Sequence, residues 1–136
     1  MMNEDELFEF CKEWLSTWTG NQPQELIKFY SEDALYVDPA HREGLKGHQD
    51  ILQYFERLLR VYQDWRWKPI EVFPIKTGGI VKWECEIPVG QEVLHEVGMD
   101  IVEIEDGKIT RNEVYFDRTR LLAAVERKKQ LERLRF

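Results

Sequence analysis

The apolar residues of this chain change their spacing partway along, and that change limits the architectures open to it. Leu7, Cys11, Trp14 and Trp18 recur at intervals of three and four, as do Ile51, Phe55, Leu58, Leu59 and Tyr62. That period gives a helix one apolar stripe and a polar back. From Trp65 onward the period drops to two: Val81, Trp83, Cys85 and Ile87 alternate with Lys82, Glu84 and Glu86. Alternation of this kind describes a strand with one face buried. Helices first and strands after is an α+β order, in which the helices cover one face of a curved antiparallel sheet.

Local signals place the elements. Asn3-x-x-Glu6 reads as a capping box opening the first helix, and Gly20 can end it. Pro23 suits the first turn of a second helix over 24–30, followed by a short strand ending at Asp38. The segment 39–47 reads as a loop, leading to a third helix over 49–62. Asp106-Gly107 is a strong two-residue hairpin signal between a strand over 94–105 and one over 108–117. Gly78-Gly79 and Gly90-Gln91 mark two earlier turns, so four long strands are expected in meander order. On the strand 94–105, Val97, Met99 and Ile101 share one side while Val102 and Ile104 share the other. One side can line an interior and the other meet a second subunit.

Two aspartates stand out against this pattern. Asp38 follows the apolar run Ala34-Leu35-Tyr36-Val37 and precedes Pro39, and Asp100 lies inside the apolar stretch 97–104. A carboxylate withdrawn from water must be paired, protonated or held for a task. Alternation puts Asp100 on one face with Gly98, Val102 and Ile104. On the last strand, Asn112, Val114 and Phe116 share the interior.

The remaining chemistry-bearing residues exclude more than they suggest. Cys11 and Cys85 form no CxxC pair and read as reduced core thiols. His41, His48 and His95 lack metal-ligand spacing, no glycine-rich phosphate loop is present, and no cofactor or metal is expected. The net charge of -7 argues against nucleic acid as a partner. Residues 118–136 nonetheless carry +5, leaving -12 on the rest, which reads as a basic tail complementary to an acidic body. Leu121, Leu122, Val125, Leu131, Leu134 and Phe136 make that tail an amphipathic helix that can pack across a partner subunit. No segment approaches the roughly 20 uncharged apolar residues of a membrane span, and the start Asn3-Glu4-Asp5-Glu6 is acidic. No membrane association and a cytoplasmic location are the expectations.

The phrases Phe29-Tyr30-Ser31-Glu32-Asp33-Ala34, Val37-Asp38-Pro39 with Gly47 before a helix, and Asp100 to Ile109 through Asp106-Gly107-Lys108, closing on Val114-Tyr115-Phe116-Asp117, resemble the nuclear-transport-factor-2-like superfamily. The likeness is to its SnoaL-like and ketosteroid-isomerase-like members, and it covers residues 5 to about 122, with 123–136 as a basic helical extension. The resemblance implies a cone-shaped α+β barrel around a hydrophobic pocket, dimeric through the outer sheet face. Asp38 matches the isomerases' general base. Asp100 matches the isomerases' aspartate that an apolar site keeps protonated, so that it donates a hydrogen bond to the oxyanion. The isomerases' essential tyrosine has no counterpart on the first helix, where Cys11, Trp14 and Trp18 stand, and Phe55 takes the slot of its supporting tyrosine with Tyr54 directed elsewhere. The expected site therefore has Asp38 and Asp100 as catalytic residues and Trp14, Trp18, Phe55, Trp83, Asn112 and Phe116 as ligand contacts. As an alternative, Trp65 and Trp67 on one strand face can cover the dimer sheet. The function this implies is a SnoaL-like isomerase, cyclase or hydrolase acting without a cofactor on a small hydrophobic carbonyl compound, or a noncatalytic binding module of the same fold.

Overall fold

The computed structural model describes residues 1–135 of the 136-residue chain. Helix α1 (Glu4–Ser16) opens as its sequence dictates. The Asn3 side chain accepts from the Glu6 N–H at 2.8 Å, and the Glu6 carboxylate accepts from the Asn3 N–H, while Glu4, Asp5 and Glu6 complement the helix dipole. Its stripe of Leu7, Cys11, Trp14 and Leu15 is fully buried and crosses the sheet. Each such large side chain removed from water contributes about 1.5–3 kcal/mol.

Helix α2 (Pro23–Ile27) is shorter than its sequence suggests, because the chain turns at Phe29 and Tyr30 already begins strand β1 (Tyr30–Asp38). The polar triplet Ser31-Glu32-Asp33 and an irregularity between Tyr30 and Leu35 obscure the alternation of β1, which is therefore longer than the short strand expected. The segment 39–47 is not a loop. Pro39-Ala40 turns the chain into β2 (His41–Lys46), antiparallel to β1. An edge strand with no buried residue carries no hydrophobic period, so the sequence hides it. Helix α3 (His48–Val61) buries Ile51, Phe55 and Leu59.

Strands β3 (Arg66–Ile75), β4 (Gly78–Val89), β5 (Glu92–Glu105) and β6 (Lys108–Tyr115) form the long meander. Asp106 and Gly107 both have positive φ, 52° and 76°, the geometry of a type I′ hairpin turn. The β3–β4 turn is Lys76-Thr77, and Gly78 and Gly79 start the next strand rather than forming the turn. The sheet has six strands, not four, in the order β2-β1-β6-β5-β4-β3. It is antiparallel except where β1 runs parallel to β6. β2 and β3 do not pair, so the curved sheet stays open rather than closing into a barrel. Helix α4 (Thr119–Leu134) begins ahead of residue 123 and lies against β4 and β5 of its own chain. Arg127 clasps the Glu92 carboxylate at 2.7 and 2.9 Å, and Arg120 sits 3.5 Å from Glu96, so the basic tail meets its own acidic body. Phe136, assigned to the tail's apolar side, lies outside the described residues. No helix among the described residues is long and apolar enough to cross a membrane.

Candidate active site

The unbroken β4–β5 ladder sets the site's geometry. It opposes Trp83 to Gly98 and Val81 to Asp100, so the inward faces of both strands meet side by side. Gly98 is required here. A Cβ at this position would lie 2.4 Å from Trp83 Cζ2 and 2.5 Å from Cη2, closer than atoms pack. With that space free, the indole lies over the glycine and its N–H donates to Asp100 Oδ1 at 2.8 Å.

Asp100 is 3% exposed. Its second oxygen, Oδ2, accepts from Asn112 Nδ2 at 2.8 Å, and Asn112 Oδ1 accepts in turn from the Tyr30 hydroxyl at 2.8 Å. The Tyr30 oxygen accepts from Trp14 Nε1 at 3.2 Å. Burial pushes the Asp100 carboxyl up to about 7. The donors Asn112 and Trp83 pull it down, and the negative charge of Asp38 adds to the rise. A carboxyl that changes charge near neutrality, with two of its roughly four acceptor sites uncommitted, is able to give and take a proton.

Asp38 is held differently. Oδ1 accepts from the Ala40 and His41 backbone N–H groups at 2.8 and 2.9 Å, the local turn that an aspartate before proline favours. Oδ2 accepts from the Tyr36 hydroxyl at 2.9 Å and the Tyr54 hydroxyl at 2.6 Å. Four donors fill the acceptor sites of the carboxylate. Tyr54 is thus directed at Asp38, contrary to the sequence expectation: one helix places Phe55 in the core and the neighbouring Tyr54 toward β1. The His41 ring meets Tyr54 edge-on at 4.4 Å. Desolvation and the adjacent Asp38 push both the Tyr36 and Tyr54 hydroxyls well above the ordinary tyrosine range, so they stay protonated donors.

Both aspartates reach the wall of one cavity of about 270 Å³. Of the six residues expected to touch a ligand, Trp18, Trp83 and Phe116 line it. Trp14, Phe55 and Asn112 stand behind the wall, the first and last inside the hydrogen-bonded chain and Phe55 among Trp18, Tyr30 and Tyr36 in the core. Trp65 and Trp67 do not face outward. They line the cavity, with Trp67 in contact with Trp18, Trp65 and Trp83 at ring separations of 6.1, 5.2 and 4.7 Å. Tyr62 and Arg118 also line the cavity. Burial raises the Tyr62 hydroxyl, and the Arg118 guanidinium offsets part of the rise there and at Tyr54. Among these, Tyr36 was reachable by counting two residues back from Asp38 along a strand. Tyr54, Tyr62, Trp67 and Arg118 are brought in by tertiary packing, for which the sequence carries no period. No group of three His, Cys, Asp or Glu able to hold a metal ion occurs among the described residues.

An open, curved six-stranded sheet with N-terminal helices packed on it is the nuclear-transport-factor-2-like architecture. Within it, this chain belongs to the SnoaL-like domain family, whose model matches residues 11–112. A hypothetical protein with a ketosteroid isomerase-like fold from Catenulispora acidiphila DSM 44928, solved in complex with trimethylamine, has 17% identity and a TM-score of 0.75, covering 91% of this chain and 95% of that one. TerC, co-crystallised with polyporic acid, has 17% identity and a TM-score of 0.73 over 88% and 98%. An NTF2-like protein from Burkholderia pseudomallei K96243 has 14% identity and a TM-score of 0.72 over 88% and 96%. At these identities the likeness is one of fold. No curated protein matches the sequence.

Proposed function

We propose that the chain is a cofactor-independent enzyme that transfers a proton on a small, largely apolar carbonyl compound held in the cavity, an isomerase- or cyclase-type reaction. The observation that carries this reading is that both aspartates lie on one aromatic wall under opposite hydrogen-bonding regimes. Asp100 as the carboxylate takes the proton from the carbon next to the carbonyl. The C–H electron pair moves into the enolate, and the protonated Asp100 returns the proton at another carbon. Arg118 supplies the positive charge on the rim that favours the developing oxyanion.

The resemblance to ketosteroid isomerases gives the base's role to Asp38 and the donor's to Asp100. The hydrogen bonding here favours Asp100 as the base, because Asp38 must lose an existing bond before it can accept a proton, and no donor's role falls to Asp38. Related folds are solved with trimethylamine and with polyporic acid, which supports a small organic molecule as the occupant. Assay of a panel of flat carbonyl compounds with the wild type, Asp100→Asn and Asp38→Asn tests the reading. It requires turnover in the wild type and its loss in Asp100→Asn, and turnover undiminished in Asp100→Asn overturns it.

The same proposal includes a second copy of the chain as partner. Val97, Met99 and Tyr115 are about half exposed together on the outer face of adjacent strands β5 and β6, an apolar surface of the kind that pairs subunits. Light scattering on the wild type and on Val97→Lys checks this. A dimer that becomes a monomer is the expected result, and a wild-type monomer at micromolar concentration removes the dimer from the reading.

A further inference from the structure

The two aspartates of the cavity differ in their charged neighbours as well as in hydrogen bonding. Arg118 lies on the wall close to Tyr54, whose hydroxyl bonds Asp38, so Asp38 has a cation in its neighbourhood. No Lys or Arg forms an ion pair with Asp100 among the described residues, and the charged group that acts on it is a second anion, Asp38.

Around Asp100 the wall is aromatic and continuous. Trp18, Trp67, Trp83 and Phe116 follow one another at ring separations of 6.1, 4.7 and 5.7 Å. The rings also present their carbon surfaces to the space. The Trp83 N–H is committed to Asp100, and the indole nitrogens of Trp18 and Trp67 are buried out of reach of solvent without an acceptor. A carboxyl group among indole π surfaces, with no positive partner from the protein, is chemically matched to an organic cation. Such a cation gains from the ring quadrupoles and from the carboxylate together.

We infer that Asp100 and the aromatic wall around it bind a substituted ammonium group, so that the substrate is a carbonyl compound bearing a basic amine. This rests on the cavity being the substrate site. The rest of the molecule follows from the division of charge: the carbonyl, on which negative charge develops, points toward Arg118, and the ammonium group lies against Trp67 and Trp83. A cation there also acidifies the neighbouring C–H bond and favours the ionised Asp100 that removes its proton.

The test compares choline with its uncharged isostere 3,3-dimethyl-1-butanol, by calorimetry or tryptophan quenching at pH 8.5 in low salt. The inference requires the wild type to bind choline about tenfold or more tightly than the alcohol. That preference is to fall toward unity in Asp100→Asn and at pH 5.5, where Asp100 takes up its proton. Among the groups facing Asp100 from the neighbouring elements, Cys11 of α1 is pushed up to about 12 by burial, and the Tyr30 and Tyr36 hydroxyls of β1 are far above their ordinary range; β1 also brings Asp38, which accepts from four donors, and β4 and β6 contribute the uncharged Trp83 and Asn112. Should Asp100→Asn prove unfolded by circular dichroism, Trp67→Leu serves in its place and is to weaken choline more than the alcohol. Equal binding of the two compounds, binding of neither, or a preference for the alcohol overturns the inference. Loss of turnover of a neutral carbonyl compound in Asp100→Asn, with no choline preference in the wild type, breaks this inference and leaves the proton-transfer reading standing.

Discussion

Asp38 and Asp100 are the same side chain in the same cavity, and their surroundings make them chemically unlike. Asp38 closes a strand where the chain turns, so two backbone N–H groups come to it for local reasons and two tyrosines approach from β1 and α3. Asp100 lies mid-strand, where the backbone donors are spent on the sheet ladder and only Trp83 and Asn112 remain. Four donors occupy the acceptor sites of the Asp38 carboxylate. Two donors in a buried site leave a group balanced between charge states. Burial raises Asp100, and the number of donors, two against four, distinguishes how the two carboxylates are held.

The largest effect that can break this comparison is on turnover. Asp100→Asn removes the proton carrier and is expected to lower kcat by about 100-fold or more, whereas Asp38→Asn, which removes a fixed charge, is expected to cost closer to tenfold. Steady-state kinetics on any active carbonyl compound decides it, and the opposite ranking restores Asp38 as the base.

Next in size is Gly98→Ala. The added methyl collides with the Trp83 ring, and overpacking of this kind costs about 1–3 kcal/mol in urea unfolding. A neutral outcome means that Trp83 can shift without loss. Tyr54→Phe deletes one donor to a charged acceptor and is expected to cost about 1.5 kcal/mol, leaving three donors on Asp38. No change in stability indicates that the remaining donors suffice.

The smallest expected signal is in pH. The folded Asp100 carboxyl is raised from 3.8 to about 7, so in the interval between those values the folded state binds the extra proton. Stability from this group is therefore full at low pH and falls as pH rises toward 7. Between pH 6.5 and 7.5 the change is on the order of 0.7 kcal/mol, about half the slope of a full proton. The wild type should show this fall in Tm relative to Asp100→Asn, and identical pH profiles contradict it.

Much of this contrast is written in residue order, and part of it is not. The two aspartates, the helical stripes of α1 and α3 and the Asp106-Gly107 turn are legible because each depends on neighbours in sequence. The membership of Trp18, Trp83 and Phe116 in the cavity wall follows from the same periods. β2 escaped because an edge strand buries nothing, and the extent of β1 was hidden by Ser31-Glu32-Asp33. The roles of Tyr54 and Trp67 could not be read at all. Tyr54 and Phe55 differ by one step around α3, and only the angle at which that helix crosses β1 decides which of them meets Asp38. Trp67 faces inward because the β3–β4 register sets it opposite Cys85, on the face of β4 that carries Trp83, a pairing that periodicity does not resolve.

A residue with no side chain governs the acid–base behaviour of another one. Gly98 has no side chain to take part in proton transfer, yet the space a side chain would have filled is the seat of the indole whose N–H holds Asp100. Graded substitution at that single position would detune the carboxyl without altering any group that titrates, a dial on reactivity installed by omission.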